Sequence, residues 1–226
     1  MKILVIDTAL GACTVGVFDD ARPLALHSEV MSKGHAERIA GLVRDVVAEA
    51  GAALGGFEAV ERIGVTVGPG SFTGLRVGLA FAQGLGAALS VPVVGVSTLA
   101  ALARAGDAGQ GHTAAVIDAR RGQVYFQAFH DGVAEGEAEA LGLEAAGLRL
   151  SMLGEPGLTL VGSGASLLAG PEAVSPIVNP TPEALAALTL AADPAEAPPS
   201  PLYLRAPDAI PPTRLPGQPR PAAVRA

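Results

Sequence analysis

Short apolar runs occupy residues 2–8, 13–18 and 22–30, separated first by Gly11 and then by Asp19 and Asp20, which predicts three strands in an antiparallel meander. The period then changes. Over 34–50, Ile39, Leu42, Val43, Val46, Val47 and Ala50 recur at helical spacing, while Glu37, Arg38, Arg44, Asp45 and Glu49 fall off that stripe, the pattern of an amphipathic helix. A strand over 62–67, a glycine-rich loop over 68–74, an apolar helix over 75–89 and a short strand over 91–96 follow. The next helix is capped by Ser97 or Thr98, and the first lobe ends near residue 104. Between Arg76 and Arg104 no Asp, Glu, Lys or Arg occurs, a length that could span a bilayer. Pro92 splits that stretch, Gln83, Ser90, Ser97 and Thr98 interrupt it, and Gly and Ala fill much of the rest, so it reads as buried helix, strand and helix.

The second half begins on the same plan. Val5, Ile6, Asp7, Gly11 and Phe18 match Val116, Ile117, Asp118, Gly122 and Phe129 at one constant offset, and Val67, Gly68 and Gly70 have counterparts in Val161, Gly162 and Gly164. Two lobes of common design are expected, 1–104 and 105–206, each a mixed sheet opened by a hairpin. Residues 201–205 form the last packed segment. Beyond them, proline-rich composition and Arg214, Arg220 and Arg225 against Asp208 predict a disordered basic tail over 207–226.

Composition narrows the function classes. The chain has 226 residues, half of them hydrophobic, so it builds a core and is not disordered throughout. A net charge of −7 excludes a general phosphate-binding field, which leaves any nucleic-acid role indirect or local. Cys13 is the single cysteine, so neither an intrachain disulfide nor a cysteine zinc cluster can form. The apolar start is too short for a signal peptide, and a cytoplasmic location is expected.

The strand-Asp-turn-strand unit is the material of actin-like phosphate loops: an acid organises a metal while hairpin amides face phosphates. Asp7, Thr8 and Gly11, and in the second half Asp118 and Gly122, stand at those places. The alternative is a plain hairpin whose Asp caps the turn. Arg120 and Arg121 replace the small residues that close backbone approach requires, so the second loop is degenerate. In the glycine-rich loop, Gly68, Gly70, Ser71, Thr73, Gly74 and Arg76 could present helix-start amides to an anion. It is no Walker loop, because the two lysines are Lys2 and Lys33. Neither Ser71 nor Ser166 sits in a nucleophile elbow. His27, His35, His112 and His130 contain no pair at helical spacing, so no metal site and no catalytic constellation is expected. What stands out is a small-residue repeat at Gly74, Gly78, Ala82 and Gly86, which admits a close neighbour: the chain's own sheet or helix, or a second molecule.

Ile6-Asp7-Thr8, the run from Gly68 to Gly78 (GPGSFTGLRVG), the run from Asp118 to Tyr125 (DARRGQVY) and Tyr203-Leu204-Arg205 together resemble the bacterial TsaB (YeaZ) family over about residues 1–205. The resemblance implies a two-lobed actin-like (ASKHA, ribonuclease H-like) α/β fold with a duplicated mixed-sheet lobe. It also implies a non-catalytic subunit of the machinery that places threonylcarbamoyl on the adenosine beside the anticodon of tRNAs reading codons that begin with A. The implied partners are the catalytic paralogue TsaD, the ATPase TsaE and, without TsaD, a second copy of the chain, with tRNA met indirectly and no membrane. No cofactor is implied for the chain alone, ATP or ADP with Mg belonging to the assembled complex. Placed on this sequence, the partner face is His35, Ile39, Leu42, Val43, Val46 and Val47 with Gly74, Gly78 and Ala82 beside them, so that Val43→Asp should abolish pairing and leave the chain folded. The competing readings are an active actin-like ATPase or phosphotransferase, and a glycoprotease.

Overall fold

The computed structural model describes residues 1–106, 111–154, 157–170 and 173–205. The expected tail, 207–226, lies outside the described residues.

The meander forms as β1 (Lys2–Asp7), β2 (Ala12–Asp19) and β3 (Arg22–Val30). It is followed by α1 (His35–Leu54), β4 (Arg62–Gly68), α2 (Phe72–Leu89), β5 (Val93–Ser97) and α3 (Thr98–Gly106). The sheet runs β3-β2-β1-β4-β5, antiparallel through the meander and parallel from β1 to β5. α1 leaves helical geometry at Gly51 (φ 49°, ψ −131°), next to the predicted end at residue 50. α2 starts three residues before the predicted 75, because the Ser71 hydroxyl accepts the Gly74 N–H at 3.2 Å and caps the helix there. Of the two caps considered for α3, Ser97 serves, its Oγ accepting from the Ala100 N–H.

The second sheet repeats the plan in reduced form. β6 (His112–Arg120) and β7 (Gln123–His130) make the hairpin, and the third strand is split into β8 (Val133–Ala134) and β9 (Glu139–Gly142), both paired with β7. After α4 (Leu143–Met152), β10 (Thr159–Val161) pairs parallel with β6, as β4 does with β1. The duplication read from Asp7 and Asp118 is therefore topological, and the architecture is the two-lobed actin-like, ribonuclease H-like α/β fold.

α1 and α2 cover one face of the first sheet, while α3 and α5 (Pro182–Ala191) cover the other and α3 also packs on the second sheet. α5 thus follows the second lobe in sequence but packs on the first. Arg62 Nη1 donates to the carbonyls of Thr189 and Ala192 at 3.0 and 2.9 Å, holding the end of α5, and Gly64 leaves the room that Thr189 fills. By length and composition α2 could cross a membrane. It carries Gly74, Gly78 and Ala82 buried on its sheet side and Arg76 and Gln83 exposed, the profile of a sheet-packing helix.

Candidate functional site

The two hairpins face one another across a cleft of about 540 Å³ whose wall includes Gly11, Gly70, Asp118, Arg120, Ser163 and Asn179. It is where an actin-like protein would hold a phosphate, so the fate of each acid decides what the cleft can do.

Asp7 ends β1 and is fully buried. Its Oδ1 accepts from the Ala9 N–H at 2.9 Å and the Thr66 hydroxyl at 2.7 Å, and Oδ2 has no partner among the described residues. Burial pushes its carboxyl above the ordinary range, against the pull of the Ala9 and Thr66 hydrogen bonds and of His35. Asp118 repeats the turn-capping bond, its Oδ1 accepting from the Arg120 N–H at 2.8 Å, but it remains partly exposed, and its Oδ2 lies 3.1 Å from Arg120 Nη1. Of the two readings of the Asp-turn unit, the turn cap describes both hairpins. The first acid is enclosed and the second is matched by the arginine of its own turn.

The glycine-rich loop is occupied in a similar way. Ser71 N–H donates to Ala9 O at 2.7 Å, the Thr8 hydroxyl donates to Gly74 O at 2.7 Å, and a methyl at Gly70 or Gly74 would overlap the Ala9 or Thr8 carbonyl oxygen. Gly78 gives way to the Thr8 hydroxyl and Gly86 to Val93. These glycines bring α2 and its loop against the first hairpin and β5. Gly68, at φ 112°, lies against the backbone of the final segment, where Leu202 N–H donates to Val67 O at 2.7 Å. With Asp7 enclosed, Asp118 paired to Arg120 and the loop amides of Ser71 and Gly74 engaged, the cleft does not fit a magnesium nucleotide.

The Tyr203-Leu204-Arg205 motif acquires a mechanical meaning that one-dimensional pattern does not contain. Arg76 sits 3.8 Å over the Phe72 ring and reaches Tyr203 Oη at 3.3 Å, with the Phe72 and Tyr203 rings 5.5 Å apart. Arg205 Nη1 donates to Ala119 O at 2.8 Å, so one strap joins the start of α2 to the second hairpin. Gly11 N–H donates to Asn179 Oδ1 at 3.1 Å, a further tie between the lobes.

The proposed partner stripe needs correction. His35, Ile39, Leu42, Val43, Val46 and Val47 are all buried, the five aliphatic side chains in the core between α1 and the sheet. Gly74, Gly78 and Ala82 are buried on the same side of α2. Helical period identifies an apolar face without stating what covers it, and here the chain's own sheet does. Residues turned outward on the adjacent pair are Ala36, Ala40 and Arg44 of α1 and Ala80, Gly84 and Ala87 of α2.

Cys13 is buried, and desolvation together with the Asp7 and Glu29 charges pushes its thiol up to about 11, far from a reactive thiolate. His27 pairs with Glu49 at 2.8 Å, and His35 Nε2 is enclosed without a hydrogen-bond partner among the described residues. His112 and His130, unrelated at helical spacing, face each other across β6 and β7.

Residues 26–145 match the family model of TsaD, tRNA N6-adenosine threonylcarbamoyltransferase. A protein of Escherichia coli K12, the tRNA threonylcarbamoyladenosine biosynthesis protein TsaB, is 39% identical over 142 residues, which are 61% of this chain and 60% of that protein. An uncharacterized protein of Mycobacterium tuberculosis H37Rv is 37% identical over 214 residues, 92% of this chain and 94% of that one. Among solved structures, YeaZ from Pseudomonas aeruginosa superposes with a TM-score of 0.73 at 30% identity, covering 90% of this chain and 99% of that one. A second Pseudomonas aeruginosa structure, an uncharacterized protein described as similar to peptidase YeaZ, gives a TM-score of 0.75 with the same identity and coverage.

Proposed function

The chain belongs to the TsaB (YeaZ) family, and from that premise we propose that it is a non-catalytic subunit in threonylcarbamoyladenosine biosynthesis. In this reading it scaffolds and activates the complex that modifies the adenosine beside the anticodon, pairing with TsaD and recruiting the ATPase TsaE in the cytoplasm. Without TsaD it pairs with itself, and it meets tRNA only through the complex. The observation that carries the reading is the closed first hairpin: Asp7, the acid an active ATPase would turn toward magnesium, is fully buried and spends Oδ1 on Ala9 and Thr66. ATP or ADP with Mg then belongs to the assembled complex and not to this cleft.

The partner contact is made by α1 and α2 through their outer surface. Ala36, Ala40, Ala80, Gly84 and Ala87 keep much of that surface low, with Arg44 the long side chain beside them, so two helices of a partner could approach it. The buried stripe contributes indirectly, by fixing the two helices on the sheet.

The decisive measurement is mass spectrometry of digested tRNA from cells depleted of the protein, with complementation. Loss of threonylcarbamoyladenosine and its return with the wild-type chain are expected; a normal level in depleted cells overturns the reading. Mg-ATP turnover by the isolated chain that disappears in Asp7→Ala would move the protein to the ATPase class instead.

A further inference from the structure

Two of the four histidines meet at the end of the second sheet farthest from Asp118. The β6–β7 register places His112 directly opposite His130, with ring centroids 4.4 Å apart and planes at 43°. Glu135, just beyond β8, turns its carboxylate onto both: Oε2 lies 3.1 Å from His112 Nδ1 and Oε1 3.9 Å from His130 Nδ1. One ligand atom from each of the three residues can be chosen so that all lie within 4.8 Å of one another. We infer that His112, His130 and Glu135 form a binding site for a divalent transition-metal ion such as Zn²⁺.

The donor set selects the ion. Two imidazoles with one carboxylate suit zinc and its neighbours, whereas magnesium and calcium call for oxygen ligands. Tetrahedral zinc with bonds of ~2.0–2.2 Å keeps its ligand atoms ~3.3–3.6 Å apart, so ligand atoms within 4.8 Å of one another must close by up to about 1.5 Å, and the fourth position is left to water.

Two features of the surroundings favour ligation over a chance meeting of surface groups. First, the frame is held. The turn at Asp131 and Gly132 takes φ 50° and 76°, and Gly111 and Asp131 exchange two hydrogen bonds, Gly111 N–H to Asp131 Oδ1 at 2.8 Å and Asp131 N–H to Gly111 O at 3.1 Å. Glu135 N–H donates to Ala128 O at 2.9 Å and Gln127 Nε2 to the next carbonyl, Gly136 O, at 3.0 Å, which fixes the backbone on both sides of the third ligand. Second, His130 has its Nε2 3.6 Å from Asp131 Oδ2 while its Nδ1 faces Glu135. A carboxylate behind the imidazole of a metal ligand orients the ring and raises its basicity. The ion would join the start of β6, the end of β7 and the segment after β8, clamping the edge of the second sheet that ends in the two-residue strand β8.

This site is independent of the tRNA-modification reading and is tested on the whole chain. Titration with ZnCl₂ in a calorimeter should give one equivalent bound, with a rise in the thermal unfolding midpoint, and MgCl₂ should give neither. His130→Gln and Glu135→Gln, checked for native circular dichroism, should each weaken binding by more than about tenfold, since even outer-shell losses reach that size. His27→Gln, at the His27–Glu49 pair on the first lobe, should leave binding unchanged. Absence of zinc binding by the wild-type chain, or affinity that survives both substitutions, overturns the site, and so does affinity lost with His27.

Discussion

The two lobes share a hairpin plan and differ in how completely each is filled. Both sheets have helices on two faces, but the largest fully buried side chains, among them Phe18, Ile3, Leu4, Leu42 and Ile63, belong to the first sheet or to the helices that cover it, with Leu99 and Leu102 of α3 packed also against the second. None comes from β6–β10 or α4. The second sheet closes with a broken third strand and a core rich in alanine, Ala114, Ala128, Ala146 and Ala165. The same Asp-turn unit therefore ends differently: Asp7 is fully buried, bonded to Ala9 and to Thr66 of β4, whereas Asp118 stays at the cleft with Arg120 against it. One local motif can be buried or open according to the mass packed on it.

The largest test of this contrast is a charge in the first core. Val43→Asp should prevent folding of the first lobe, because an unpaired carboxylate would be enclosed at a position 1% exposed. Loss of soluble folded chain by circular dichroism is expected, in place of the folded, unpaired protein that a surface stripe would give. Leu42→Ala should lower stability by about 2–5 kcal/mol in urea unfolding, and Leu141→Ala, only partly buried in the second lobe, by clearly less. Equal losses would remove the asymmetry.

The glycines of α2 offer a sharper pair. Gly74→Ala puts a methyl onto the Thr8 carbonyl and should destabilise by about 1–3 kcal/mol. Gly84→Ala meets nothing within 4 Å and should stabilise by about 0.5–1 kcal/mol through helix propensity. If the outer face of α2 is the partner contact, Gly84→Arg should keep the fold and lose co-elution with TsaD; retained co-elution would move the contact elsewhere.

A smaller effect separates the two acids. Since burial holds the Asp7 carboxyl above its unfolded value, the unfolded chain releases that proton first as pH rises. Stability should then fall from the ordinary carboxylate range upward until the folded group has also ionised, and this slope should vanish in Asp7→Asn. Asp118→Asn keeps an oxygen for the Arg120 N–H, removes only a partly exposed ion pair, and should change stability by less than about 1 kcal/mol. Urea midpoints across that pH range decide it: a slope retained in Asp7→Asn would assign it to another group.

Much of the frame was legible in one dimension. The hairpins, α1 and the loop before α2 carry local signals: turn residues between short apolar runs, a 3.6-residue period, and Ser71 three residues ahead of the amide it caps. The matched Asp7 and Asp118 segments identified the repeat because both hairpins need the same turn chemistry. The candidate site was less readable. Spacing along a helix could not relate His112 to His130, whose meeting depends on strand register. Nor could it reveal that Tyr203 and Arg205 strap two distant elements together.

In the first lobe, element types, their order and the existence of an apolar stripe on α1 were set by neighbouring residues, since period, capping and turn preference act within a few positions of the chain. Tertiary packing alone decided that the stripe faces its own sheet, that α5 returns to the first lobe, that the α2 glycines seat Thr8 and Val93, and that Asp7 is enclosed while Asp118 is not. Each of those outcomes depends on which surfaces meet, and burial belongs to the pair of surfaces in contact, not to either stretch of sequence taken separately.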